Sequence, residues 1–294
     1  MVEEILSGGG VRLVRNHVMV SDGVALNLYD FSPDKGSQDA PAVVFVPGWV
    51  SLISGWIDVL KVLTPRMRVI YLETREKYSA CIPKGPLPEF TLERMRKDLE
   101  EVLLQVLPGD TPFVLAGSSL GSTIILEYLN RGNGRIPEKS ILVSPISQVD
   151  FPFWARMLIR FFPPAAYSLI KHAIIFYLTR FKVDKHKEPE QAEKYKGTLL
   201  AAEPYRLKAN AQALSGYSVW NRLGHVTSEV VLVGARTDKL HGLGDLEKMV
   251  EGLPMARLEV MGSNLETHSE KLAYVLLEEL EPDRIKTWGR RGGC

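Results

Sequence analysis

Gly117-Ser118-Ser119-Leu120-Gly121 constrains this chain more than any other segment. The apolar run Phe113-Val114-Leu115-Ala116 leads into it, and a helix-compatible stretch over residues 122–129 follows. A Gly-x-Ser-x-Gly between a buried strand and a helix predicts a sharp elbow with Ser119 at its apex. The backbone of such a turn is strained. Any side chain two residues before or after the serine would strike neighbouring main chain, so glycine at both places is a steric requirement.

The surrounding pattern fits that elbow into a larger sheet. Residues 11–20 and 24–31 are strand-like and joined through Ser21-Asp22-Gly23, whose Asp-Gly is a hairpin signal. Short aliphatic runs recur at 42–46, 68–72, 113–116, 140–143, 230–233 and 258–261, the composition of strands covered on both faces. Helical periodicity lies between them, at 91–107, 245–253 and 268–280. Alternation of this kind predicts an α/β fold with a mostly parallel, doubly wound sheet. Ligands of such sheets sit at the carboxyl ends of the strands, so the residues just after each strand are where chemistry is expected.

One gap is too long for a crossover helix. Residues 151–218 read as an inserted helical lid, leaving 1–150 and 219–294 as the core. The insertion is rich in large apolar residues, among them Phe153, Trp154, Met157, Phe161, Phe162, Ile175 and Phe176, and is punctuated by Pro163-Pro164 and Pro189. Eleven Lys and Arg against five Asp and Glu give it a charge of +6, which leaves −5 for the remainder of a chain whose net charge is +1.

That near-neutral total lacks the concentrated basic face of a nucleic-acid binder, so no nucleic-acid partner is expected. Cys81 and Cys294 form neither a disulfide framework nor a zinc spacing. Glu3 and Glu4 stand where a secretory signal carries positive charge, so the expected location is the cytoplasm. The apolar stretch 165–178 is interrupted by Lys171 and His172 and is too short to span a bilayer.

Over nearly its whole length the chain resembles the α/β-hydrolase superfamily. The likeness is carried by the elbow at Gly117 to Gly121, by Val46-Pro47-Gly48-Trp49 after the first parallel strand, by the segment running from Val231 to Asp238, and by His268 near the C-terminus. The superfamily places nucleophile, acid and histidine in that chain order. The resemblance therefore implies a serine hydrolase with a cap, needing no metal or organic cofactor. Ser119 would attack. His268, in the loop after the last strand, would be its base, and Asp238, in the loop after the strand that follows the lid, would orient that base.

Asp150 is an alternative acid. His225 and His241 compete for the base and read as loop histidines, His241 lying near enough to the acid to help shape the site; His17 is remote. The N–H of Leu120, at a helix N-terminus, and that of Trp49, or else Val50, would form the oxyanion hole.

Two departures stand against the family pattern. Pro47 replaces a customary histidine, and Glu73-Thr74-Arg75-Glu76-Lys77-Tyr78-Ser79 keeps only Arg75 and Ser79 of a glycine-rich turn, which otherwise reads as a charged face. Serine at the elbow disfavours the aspartate chemistry of epoxide hydrolases and dehalogenases. The expected reaction is acyl transfer to water from a small-molecule carboxylic ester or thioester, with the lid suggesting an apolar acyl chain. The basic lid suggests peripheral contact with anionic lipid. The alternative is a catalytically impaired hydrolase-fold scaffold. Oligomeric state is not written in the sequence.

Overall fold

The computed structural model describes residues 5–6, 10–34, 40–132, 134–177 and 189–280. Glu3, Glu4, Cys294 and the basic stretch 181–188 lie outside them. Among the described residues are eight strands: β1 (Val11–Met19), β2 (Ala25–Pro33), β3 (Ala42–Val46), β4 (Val69–Leu72), β5 (Phe113–Ser118), β6 (Lys139–Val143), β7 (Val230–Ala235) and β8 (Ala256–Met261). They form one sheet in the order β1-β2-β4-β3-β5-β6-β7-β8. β1 and β2 pair antiparallel with each other and β2 antiparallel with β4, while the remaining pairs are parallel. The Asp22-Gly23 turn closes the hairpin, with Gly23 at φ +83° and its N–H donating to Val20 O at 2.9 Å.

Strands β3 to β7 are buried almost throughout, as their aliphatic composition requires. β8 departs from that expectation. As an edge strand it leaves Glu259 and Val260 exposed.

Helices α1 (Ile57–Leu63), α2 (Leu92–Val106) and α3 (Leu120–Arg131) fill the first half of the chain. Helices α4 (Phe153–Phe161), α5 (Tyr167–Tyr177), α6 (Pro189–Ala201) and α7 (Pro204–Leu214) occupy the insertion, and α8 (Leu243–Gly252) and α9 (Glu270–Leu280) follow β7 and β8. Apolar residues of α2, α3 and α8 pack on one face of the sheet and those of α1 and α9 on the other, which is what doubly wound means physically. Thr91 starts α2 by accepting the Arg94 N–H on its hydroxyl at 3.1 Å, and Gly132 ends α3 at φ +68°.

The two ends of the segment between β6 and β7 are joined by backbone hydrogen bonds. Val149 donates to Tyr217 O at 2.9 Å, Gly216 to Val149 O at 3.0 Å and Val219 to Ser147 O at 2.9 Å. Within it α4 rests on α7, since Lys208 Nζ donates to Phe162 O at 2.9 Å and Gln212 to Ile159 O at 3.2 Å. Helix α7 in turn is held to the core by the buried Asn210, which donates to Phe90 O at 2.9 Å, and by Arg206, which donates to the carbonyls of Lys77 and Ala80. Among the described residues no helix is long and apolar enough to cross a membrane.

Candidate active site

Ser119 sits between β5 and α3 with φ 48° and ψ −114°, a conformation costing a residue with a side chain on the order of 1–3 kcal/mol. Its surroundings over-determine it. The Ser119 N–H donates to Val143 O at 2.8 Å, and its carbonyl accepts from the Thr123 N–H and hydroxyl, each at 3.0 Å. A Cβ at Gly121 would come within 1.9 Å of Val46 O, and one at Gly117 within 2.9 Å of the Ser122 nitrogen. The two glycines of the motif are therefore demanded by close backbone approach.

The imidazole that meets Ser119 is that of His241. Its Nε2 lies 3.0 Å from Ser119 Oγ, and its Nδ1 lies 3.1 Å from Asp238 Oδ2. An ionised carboxylate only accepts, so Nδ1 carries the proton and Nε2 is the acceptor for the serine hydroxyl. Asp238 is nearly inaccessible, at 3% side-chain exposure. Burial alone would push its carboxyl up; the hydrogen bond and charge of His241, with the backbone N–H groups of His241 and Leu240, outweigh that and hold it below the ordinary carboxylate value. Ser144, itself at φ +44°, donates its hydroxyl to the same carboxylate at 3.2 Å.

The expected pairing of Ser119 with His268 is not formed. His268 lies in a 3-10 turn ahead of α9, its ring 4.5 Å from that of Trp56, with Nδ1 3.2 Å from Asn264 O and 3.0 Å from Thr267 Oγ1. The reason is local. Asp238 Oδ1 accepts the N–H groups of both Leu240 and His241 at 2.9 Å, an Asx-type turn that folds the ring at i+3 back onto its own carboxylate. Asp238-Lys239-Leu240-His241 was the sequence signal for this arrangement. Asp150 and His225 are exposed, and neither joins the cluster around Ser119.

The loop after β3 covers the serine, because a Cβ at Gly48 would stand 3.4 Å from Ser119 Cβ. Among the described residues the backbone N–H groups of Leu120 and Trp49 have no acceptor, whereas the Val50 N–H is taken by Glu76 Oε1 at 3.2 Å. Of the two alternatives in this loop, only Trp49 is therefore left with a free donor. Val50 itself is held at φ +47°.

The brace on this loop comes from the segment that departs from the family pattern. Residues 73–77 are all buried, not a charged face. Lys77 Nζ donates to Gly48 O at 3.1 Å, to Thr74 Oγ1 at 2.6 Å and to Glu76 Oε1 at 3.1 Å. An ion pair thus does here what a tight glycine turn does by shape. Glu76→Gln weakens the hold on Val50 and leaves the Lys77 ammonium without its anion. It is expected to lower kcat on the order of 10- to 100-fold, since a small misplacement suffices for that, with KM changing less. Unaltered kcat would show that the loop holds its shape unaided.

A cleft of about 430 Å³, lined in part by Glu93, Arg96, Glu127, Arg131 and Arg222, opens beside α3. Glu127 stands eight residues beyond Ser119, roughly 12 Å along a helix axis, so this cleft is separate from the serine.

Comparison with known proteins agrees with this architecture. A family profile described as "Alpha/beta hydrolase family" matches residues 43–273. The fold is similar to that of a thermophilic esterase from Thermogutta terrifontis, with TM-score 0.67 and 19% identity over 92% of this chain and 98% of that one. It is similar also to an esterase from Exiguobacterium antarcticum, with TM-score 0.69 and 20% identity over 91% and 100%. An enol-lactonase from Burkholderia xenovorans LB400 gives TM-score 0.69 and 16% identity over 90% and 98%. A search of curated protein sequences finds no match. The profile covers well over half of the chain, and on that ground the protein belongs to the alpha/beta hydrolase family.

Proposed function

We propose that this protein is a serine hydrolase that cleaves the carboxylic ester or thioester of a small apolar acyl compound through an acyl-enzyme. The observation that carries this reading is the unbroken path from Ser119 Oγ to His241 Nε2 at 3.0 Å and from His241 Nδ1 to Asp238 at 3.1 Å. In the first step His241 takes the hydroxyl proton as Ser119 Oγ adds to the carbonyl carbon. Asp238 stabilises the imidazolium that results. The N–H groups of Leu120 and Trp49 receive the oxyanion, that of Leu120 reinforced by the positive end of α3. Collapse expels the alcohol or thiol, which takes the proton back from His241. Water, deprotonated by the same imidazole, then releases the acid.

The esterase and lactonase relatives support acyl transfer as the reaction class. The apolar acyl group rests on the large apolar residues of the segment 151–218, such as Phe153, Trp154 and Phe161. A fluorophosphonate probe is expected to label the protein, and Ser119→Ala to abolish the label. Absence of labelling in the folded wild type would favour the scaffold reading. A series of p-nitrophenyl esters of increasing acyl length then reads the chain preference.

A further inference from the structure

Helix α4 turns large apolar side chains toward solvent. Phe153 is 71% exposed, Met157 42% and Phe161 66%. They recur at i, i+4 and i+8, so they form one stripe along the helix. Arg156 and Arg160, both exposed, flank it on one side, and the guanidinium of Arg160 lies 5.7 Å from the centre of the Phe161 ring. The opposite side, with Leu158, Ile159 and Phe162, is half-buried where the helix meets α7. Packing of α4 against α7 therefore accounts for the inner residues and not for the outer stripe.

Charge indicates what covers the stripe. Residues 151–177 contain Arg156, Arg160 and Lys171 and no Asp or Glu, while the chain outside 151–218 sums to −5. From these observations we infer that α4 docks the protein on an anionic lipid surface, with the stripe seated among the acyl chains and the two arginines on the headgroups. Apolar residues beside basic ones, with no carboxylate among them, are what an interfacial helix presents. A second copy of the chain fits less well. A two-fold interface built on α4 would set Arg156 and Arg160 against the same pair of arginines, and α4 itself carries no carboxylate to pair with them. None of these residues belongs to the Ser119 site, so docking is measured without reference to catalysis.

Co-sedimentation of the full chain with vesicles of phosphatidylcholine, alone or mixed with phosphatidylglycerol, tests this. Wild type is expected to partition onto the mixed vesicles at least about tenfold more strongly than onto the neutral ones, and less so as salt is raised. Arg156→Gln with Arg160→Gln should lower partition onto mixed vesicles on the order of 10-fold or more. Phe153→Ser with Phe161→Ser should lower it as well, since the stripe supplies the apolar part of the attachment. Because all four positions are exposed, both variants should keep wild-type circular dichroism and fluorophosphonate labelling. Equal binding to both vesicle types, no binding to either, or variants that bind as wild type would overturn the inference. So would a concentration-dependent dimer, seen by analytical ultracentrifugation, that the phenylalanine variant dissociates in the absence of vesicle binding.

Discussion

His241→Ala is expected to lower turnover of a soluble ester by ~10³-fold or more, while His268→Ala leaves it within about threefold. The contrast follows from what each ring touches. His241 bridges Ser119 and Asp238 at 3.0 and 3.1 Å, so its loss removes both the proton acceptor and the link to the carboxylate. His268 packs on Trp56, which is buried and donates its indole N–H to Ser51 Oγ at 3.0 Å. Its removal should cost packing energy, read as a lower melting temperature, with little change in kcat. Both variants are to be assayed on p-nitrophenyl butyrate after folding has been verified. An active His241→Ala beside an inactive, folded His268→Ala would reverse the assignment and return the base to the loop after β8.

Arg75→Met should destabilise the protein by about 3–5 kcal/mol, the usual cost of leaving a buried charge uncompensated. The side chain is fully buried. It meets Asp98 through two bonds, Nε to Oδ2 at 2.5 Å and Nη2 to Oδ1 at 2.6 Å. It also reaches Asp22 at 2.7 Å and Glu89 O at 2.8 Å. One guanidinium thereby ties the β1–β2 turn, helix α2 and the segment before α2 to the loop that braces Gly48 and Val50. Against a typical total stability of roughly 5–15 kcal/mol, that loss is a large fraction.

The penalty should also depend on pH. Burial pushes the Asp98 carboxyl up, with Arg75 and Arg94 pulling it only part of the way back, and without Arg75 it rises further. A carboxyl whose folded value lies above its unfolded one makes stability fall as pH rises between the two. The defect of Arg75→Met should therefore be larger at neutral pH than in acid near the ordinary carboxylate range. Urea midpoints measured across pH check both parts. A variant within about 1 kcal/mol of wild type at neutral pH would show that Asp98 and Asp22 find water or other donors, contrary to their burial.

How much of this was legible in the sequence varies with how local the cause is. The strands, the hairpin turn at Asp22-Gly23 and the helix begun by Thr91 follow from periodicity and from side chains acting within a few residues, so the linear order carries them. The elbow was legible for the same reason. Gly117 and Gly121 announce close backbone approach, although only the fold shows that the crowding partner of Gly121 is Val46 O.

Charge was the least legible feature. Glu73, Arg75, Glu76 and Lys77 look like a solvated face in one dimension. All are buried because their partners, Asn27, Asp22, Asp98 and Gly48, arrive from distant segments. Likewise the aromatic residues of the insertion announce burial by type, yet Phe153 and Phe161 face solvent, because the contact of α4 with α7 lies on its other side.

By itself, then, the sequence determined the α/β class, the strained serine and the aspartate after β7, since each is encoded in contiguous residues with a steric or conformational requirement of their own. Tertiary structure alone decided which histidine lies against that serine. Imidazole reach is a few ångströms, and two loops at the same end of a sheet both supply one. The turn that Asp238 folds around its own carboxylate, and the approach of Trp56 to His268, are what separate them.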